Sequence, residues 1–246
     1  MMNKVYGAYL EDYNLIKLIV PSSTNLDKIS LTGNNYCQLL SIKSVESYAN
    51  ELHIFLNYKD EIYFHQDYNV VVGDLSYHLN VGKVTRTKRF EDEFYYDGSL
   101  GFDYHHGYTE FRIWSPVCKE IILCLNDKNY QLTYLNKGVW YVKVDGNFDG
   151  AKYYYIIRVD EDKVKTLDPY AVSSNANNEY NYVIDLDRTY QMQYSFGQLV
   201  NIEPIIYELN LRDMVSSINE QDSVYLRNME NLRYIKNLGI THLQFM

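Results

Sequence analysis

The fold class is decided by the segment YTEFRIWSP at residues 108–116, in which apolar and polar side chains alternate. In an extended chain Phe111 and Ile113 point to one side, while Arg112 and Trp114 point to the other. The same period of two recurs in three further runs, at residues 121–125, 140–144 and 153–159. Because such alternation is typical of half-buried strands, the four runs predict antiparallel β-structure.

Turn sequences separate these strands: Asn136-Lys137-Gly138, Asp145-Gly146 and Asp149-Gly150. Glycine supplies the positive φ that hairpins and tight loops require. Strands at this spacing predict a small β-sandwich of immunoglobulin type over residues 96–187. Its expected core contains Phe111, Ile113, Trp140 and Val142.

The preceding residues 1–95 predict a separate β domain. Short apolar runs at 15–20, 36–40, 52–58, 68–72 and 75–79 alternate with polar turn clusters, which is typical of an antiparallel β unit. A charged and aromatic stretch, residues 83–97, follows them between two glycines. It predicts the domain boundary, either as a solvated edge strand or as a linker.

The pattern changes after Pro204. A two-faced strand at 205–213 is followed by a helical stripe and a second strand at 240–246. The predicted helix has Asp222 as N-cap, Gly239 at its C-terminal end, and the apolar stripe Tyr225, Met229, Leu232 and Ile235. This is the pattern of one βαβ unit.

The first strand of this unit carries Tyr207, Leu209 and Leu211 on one side and polar residues on the other. A (β/α)8 barrel has such strands, because one side packs on outer helices and the other enters the barrel. A closed barrel needs about 250 residues, so residues 188–246 predict a linker and the start of a truncated barrel. The expected fold is mainly β: two β-sandwich-like accessory domains and the first βαβ unit of an incomplete (β/α)8 barrel. The sequence is therefore expected to be a fragment of a longer protein.

Composition excludes several classes of protein. The chain has 246 residues, 46% of them hydrophobic and 15% aromatic, which is incompatible with intrinsic disorder. A net charge of -9 argues against nucleic acid as a partner. No apolar run has the length of a signal peptide or a membrane span, and the cysteines, which are 3 in number, show no metal-binding spacing. We expect a cytoplasmic protein that uses neither a metal nor a cofactor.

Six short motifs in one order resemble the N-terminal part of the type I pullulanases, which belong to glycoside hydrolase family 13 of the α-amylase superfamily. YTEFRIWSP at 108–116 is similar to the opening T-x-F-x-V-W-A-P of a starch-binding-type sandwich, and the G-x-W and G-x-x-Y-x-Y elements recur at 138–140 and 150–155. The segment DPYA at 168–171 resembles the family's link to the catalytic domain. IYELNLRD at 206–213 and LGITHLQFM at 238–246 resemble the first two barrel strands, with Asn210 where the family usually has His.

The resemblance implies hydrolysis of α-1,6-glucosidic branch linkages in pullulan, starch or glycogen with retention of configuration. Retention requires two carboxyl groups about 5 Å apart. In this superfamily they lie on later barrel strands, so we expect no catalytic residue here and an inactive chain. The alternative is a non-catalytic carbohydrate-binding or interaction module. The resemblance leaves the substrate-binding residues unknown and implies an α-glucan polysaccharide as partner. The lack of a long apolar run separately predicts no membrane contact.

Few side chains are candidates for a site. Trp114 and Trp140 could stack on sugars, but their apolar context predicts packing roles for both. Tyr154 should point outward between Tyr153 and Tyr155. His105 together with its neighbour His106 lacks further metal ligands at suitable spacing and predicts loop histidines.

One carboxylate lies at the correct end of the first barrel strand. Asp213 is the last residue of that strand, but a salt-linked structural role is favoured over catalysis. The acidic pairs at 92–93 and 161–162 predict solvated turns.

Overall fold

A computed structural model describes residues 6–34, 36–59, 61–188, 203–214 and 229–246. The chain forms two compact units, residues 1–189 and 190–246. Within the described residues, no helix is long and apolar enough to cross a membrane.

The first eight strands form one sheet. They are β1 (Gly7–Asp12), β2 (Leu15–Pro21), β3 (Ile29–Gly33), β4 (Tyr36–Leu39), β5 (Ser41–Tyr48), β6 (Glu51–Asn57), β7 (Tyr68–Val72) and β8 (Leu75–Val81). The strand order is β4-β3-β7-β8-β1-β2-β6-β5. All neighbours are antiparallel except β1 and β8, which pair in parallel. The antiparallel expectation thus fails at one pair. β1 and β8 are not joined by a hairpin, because the six strands β2 to β7 lie between them in the sequence.

The core of this domain is built from every second residue of its central strands. Ile16 and Leu18 of β2 are fully buried, as are Val70 and Val72 of β7, and all four belong to one apolar cluster. Strands from both halves of the sheet reach the same core, so the sheet curls over it. At the edge, every residue of β5 is exposed, and a bulge between Ile42 and Ser44 interrupts its pairing. A bulge with a lysine beside it is a device that keeps sheet edges from pairing with other chains.

Most of the charged stretch at 83–97 is helical and is not an edge strand. A short 3-10 turn at Lys83–Arg86 leads into α1 (Lys88–Phe94). The Thr87 side chain caps this helix, because its Oγ1 accepts from Phe90 N at 3.2 Å. Phe90 and Phe94, one turn apart, are buried in the core of the first domain. The acidic pair at 92–93 therefore lies on a helix and not in a turn.

The second domain is a sandwich of two sheets. Its strands are β9 (Gly101–His105), β10 (Tyr108–Trp114), β11 (Glu120–Leu125), β12 (Lys128–Gln131), β13 (Thr133–Tyr134), β14 (Val139–Asp145), β15 (Lys152–Arg158), β16 (Lys163–Thr166) and β17 (Asn181–Tyr182). One sheet has the order β13-β14-β10-β9, and the other has β12-β11-β15-β16 with β17 beside β15.

The core of the sandwich follows the predicted alternation. Phe111, Ile121 and Tyr155 are fully buried, and Trp140 is 4% exposed. Val142 is partly buried against the same cluster. This core and that of the first domain lie on opposite sides of residue 95 in the sequence, although the exact domain limits stay a prediction.

Gly138 is required by the turn before β14. Its φ is +81°, and a Cβ there would lie 2.7 Å from Cβ of Pro116. Both the backbone conformation and the space therefore exclude a larger residue. The turn sequence at 136–138 predicted this conformation.

The second unit contains two parallel strands, β18 (Ile206–Leu209) and β19 (His242–Phe245), with α2 (Met229–Asn237) between them in sequence. Leu209, Leu211 and Ile235 form a small buried cluster, and Gly239 follows the helix with a φ of +84°. The parallel pairing and the glycine agree with the predicted βαβ unit. Asp222, Tyr225 and the Met229 side chain lie outside the described residues.

Candidate functional site

Six aromatic side chains line a cavity of about 400 Å³. We call it the aromatic pocket, and its aromatic lining comprises Phe90, Phe94, Tyr95, Tyr96, Trp114 and Tyr170. The helix α1 and the segment after it supply four of these rings, and the sandwich supplies two. Both domains of the first unit therefore contribute to one pocket.

Trp114 occupies the pocket because it is the last residue of β10 and points away from the sandwich core. Its side chain is 37% exposed. The indole N–H donates to the Phe94 carbonyl oxygen at 3.0 Å. The ring is thereby fixed against α1 while part of its surface stays open.

Tyr170 is held by a buried carboxylate. Asp168 Oδ1 accepts from Tyr170 N, and Oδ2 accepts from Tyr153 OH, both at 2.9 Å. Burial raises the pKa of Asp168, and these two hydrogen bonds oppose the shift. A close neighbour, Gly101, has a φ of +88°, and a Cβ there would lie 3.1 Å from the Tyr170 carbonyl oxygen. The backbone of Tyr170 is therefore held by these contacts, while the residue itself is 40% exposed.

The helical wall of the pocket is set by Phe64. Its ring meets Phe90 edge-on at a centroid distance of 5.2 Å and Phe94 at 5.4 Å. Phe64 lies in the loop between β6 and β7, so this loop determines where α1 sits. Edge-to-face aromatic pairs favour defined geometry in addition to apolar burial.

Lys119 of the sandwich forms hydrogen bonds to the same loop. Its Nζ donates to the Phe64 carbonyl oxygen at 2.6 Å and to the Gln66 carbonyl oxygen at 2.7 Å. Burial lowers the pKa of Lys119, and the carboxylates of Asp67 and Asp160 oppose that shift. The ammonium therefore links the two domains at a partly dehydrated position.

A second link joins the loop to β15. Arg158 donates from both terminal nitrogens to the two carboxylate oxygens of Asp67, at 3.0 and 2.9 Å. This hydrogen bonding lowers the pKa of Asp67. His65 stacks on Tyr134 with ring centroids 3.9 Å apart. Three consecutive loop residues, 65–67, are thus held by the sandwich.

The outer side of the five-stranded sheet offers a second aromatic surface, which we call the lysine–tyrosine face. Lys165 Nζ lies 4.1 Å from the ring centroid of Tyr154, and Lys152 Nζ lies 4.7 Å from that of Tyr180. These cations cover the ring faces, so a stacking ligand would have to displace them. The outward direction of Tyr154 confirms the alternation that the sequence predicts.

The two tryptophans behave differently. Trp140 is a packing residue, as predicted, and its indole N–H donates to the Ser115 carbonyl oxygen at 2.9 Å. The same prediction is wrong for Trp114, because β10 ends there and the neighbouring domain covers only part of the ring.

The pocket also contains the α1 phenylalanines, which the sequence analysis missed. Their spacing of four residues after a capping threonine was the available signal.

The remaining candidates, the two histidines and Asp213, have separate hydrogen-bond or ionic partners. His105 Nε2 lies 3.4 Å from Asp103 Oδ2, and His106 Nδ1 lies 3.4 Å from Tyr104 OH. In the parts of the chain that the structure describes, no three His, Cys, Asp or Glu side chains are grouped to hold a metal ion. Asp213 follows β18, where its backbone N–H donates to the Asn210 carbonyl oxygen at 3.1 Å.

Comparison with known protein families and sequences gives consistent matches. The model for carbohydrate-binding module 48, the isoamylase N-terminal domain, matches residues 99–171. A pullulanase of Bacillus subtilis strain 168 is 34% identical over 194 residues, which cover 68% of this chain and 26% of that protein. Pullulanase A of Streptococcus pneumoniae serotype 4 is 26% identical over 212 residues, covering 70% of this chain and 17% of that protein.

Solved structures extend the similarity to nearly the whole chain. The pullulanase from Anoxybacillus sp. LM18-11, complexed with maltotriose, matches with a TM-score of 0.83 and 27% identity over 99% of this chain and 39% of its own. The type I pullulanase of Bacillus subtilis strain 168, complexed with maltose, matches with a TM-score of 0.81 and 27% identity over 100% of this chain and 38% of its own. The chain spans about a quarter of the length of the curated Bacillus relative.

Proposed function

The chain is homologous to the N-terminal part of pullulanases of glycoside hydrolase family 13, and from this premise we propose that it is the α-glucan-binding part of an enzyme that cleaves α-1,6 branch linkages. The substrates of that enzyme would be pullulan, starch or glycogen. The observation that carries the proposal is the match of residues 99–171 to a carbohydrate-binding module, within a chain whose structure is similar to that of a pullulanase over 99% of its length.

The second unit fits this proposal as the opening of the catalytic barrel. In β18, β19 and α2 the topology is βαβ with parallel strands, which is the repeating unit of a (β/α)8 barrel. The family resemblance assigns the catalytic carboxylates to later strands. Residues 1–246 would therefore bind glucan without hydrolysing it.

The proposal includes a cytoplasmic location. Cys37, Cys118 and Cys124 are free thiols, which suits a reducing compartment.

The binding proposal is tested by electrophoresis of the full chain in native gels that contain pullulan. We expect pullulan to slow the chain relative to a gel without polysaccharide, and a soluble β-1,4-glucan to leave its mobility unchanged. Equal mobility in all three gels would contradict α-glucan binding.

The catalytic part of the proposal has its own assay. Pullulan incubated with the full chain is expected to release no reducing ends above the buffer control. Release that depends on the protein would contradict the assignment of the catalytic carboxylates to later strands.

A further inference from the structure

We propose that the aromatic pocket between α1 and the sandwich is a binding site for an α-glucan chain. The inference deepens the proposed function and rests on it, since the function supplies the ligand class. The matched carbohydrate module begins at residue 99, whereas Phe90, Phe94 and Tyr95 precede it. The site therefore belongs to the joined domains and not to the module alone.

The lining suits a neutral, hydroxylated ligand. A glucose ring has an apolar face and a polar rim, which is the complement of a tyrosine or tryptophan side chain. Tyr95 is 63% exposed, so its ring and hydroxyl are both accessible. Among the described residues that line the pocket, Glu91 alone carries a charge. A single carboxylate accepts hydrogen bonds from sugar hydroxyls and disfavours phosphates and other anions.

The pocket is organised before a ligand arrives. The indole of Trp114 is fixed by its hydrogen bond to Phe94, and the backbone of Tyr170 is fixed by Asp168. Ordering side chains on binding costs free energy, so rings already held in place lose less of it. The volume of about 400 Å³ lies within the range of small-molecule sites.

The lysine–tyrosine face is the competing location, and the two surfaces differ in one physical respect. Lys165 and Lys152 cover the rings of Tyr154 and Tyr180, whereas no cation lies against Trp114 or Tyr170 in the described contacts. A sugar can contact the pocket rings without displacing a cation–π partner.

Intrinsic fluorescence reads the pocket directly. The chain contains 2 tryptophans. Because Trp140 is only 4% exposed, a change in emission on adding maltotetraose reports mainly on Trp114. We expect a saturable change for the full chain and its loss in Trp114→Phe. No change in the full chain would overturn the site.

Affinity in pullulan gels locates the site independently. The affinity is obtained from the retardation at several pullulan concentrations. We expect Tyr170→Ala to weaken this affinity about tenfold, equivalent to about 1.4 kcal/mol. The affinity of the matched control Tyr154→Ala should stay within about twofold of that of the native chain. Tyr95→Ala removes a ring that is mostly exposed, so it provides a second pocket variant if Tyr170→Ala does not fold. Thermal unfolding establishes that each variant is folded.

The outcomes separate the site from the function. The pocket is overturned if both pocket variants are retarded as strongly as the native chain. It is also overturned if retardation is lost in Tyr154→Ala instead. Either result leaves glucan binding by the chain intact. A full chain that pullulan does not retard overturns both. Loss confined to the pocket variants, together with the fluorescence change, supports the site.

Discussion

Replacing Lys119 with methionine tests how the two domains of the first unit are joined. The ammonium donates to two carbonyl oxygens of one loop, at 2.6 and 2.7 Å. Each hydrogen bond to a charged group is worth about 1.5–3 kcal/mol, so the gross loss is about 3–6 kcal/mol. Two effects reduce the net loss: the desolvation that lowers the pKa of Lys119 is relieved, and water can reach the more exposed Gln66 carbonyl. We expect a net destabilisation of about 2 kcal/mol.

Urea unfolding of the full chain measures this loss, and Lys163→Met is the matched control. Lys163 Nζ lies 2.6 Å from Glu120 Oε2, but its side chain is 52% exposed. An ion pair of that kind contributes at most about 1 kcal/mol. The reasoning is refuted if Lys119→Met lowers the free energy of unfolding no more than Lys163→Met does.

Substitutions at Gly138, Asp67 and Trp140 have expected outcomes, two of them with a matched control. Gly138→Ala should lower the free energy of unfolding in urea by about 2 kcal/mol, because its φ is +81° and its Cβ would meet Pro116. The control Gly107→Ala has open space around its Cβ and should cost under about 1 kcal/mol. Equal losses in the two variants would contradict this. The hydrogen bond from Arg158 lowers the pKa of folded Asp67, so its stabilisation should be complete above its unfolded pKa of about 3.9 and disappear as the pH falls through the folded value. The stability difference between the native chain and Asp67→Asn should therefore shrink below about pH 4, and a constant difference would disprove the link. Trp140→Phe should lower the melting temperature more than Trp114→Phe, because only Trp140 is fully packed in the core; the reverse order would count against the assigned burial.

The sequence predicted the sandwich well because its strands carry a simple periodicity. Phe111 and Ile113 face inward and Tyr154 outward, as the period of two requires. The prediction for Trp114 failed because alternation gives the direction of a side chain but not what the next domain covers. The parallel pairing of β1 with β8 was also beyond reach, since no local pattern encodes contact between the two ends of a domain.

The helix α1 shows the limit of pattern analysis for short elements. It has 7 residues and buries two phenylalanines. Two apolar positions among five charged ones are too few to reveal a helical period. The aromatic pocket combines this helix with Trp114 and Tyr170, which are separated by more than fifty positions in the sequence. Only the folding of two domains against each other brings these rings together.

Calorimetric titration of the full chain with maltotetraose tests the central claim most directly. The account predicts saturable heat, with at least one oligosaccharide bound per chain, and no saturable heat with cellotetraose, its β-linked counterpart. Equal heats for the two sugars, or no saturable heat with maltotetraose at millimolar concentration, would contradict the claim that this chain binds α-glucan.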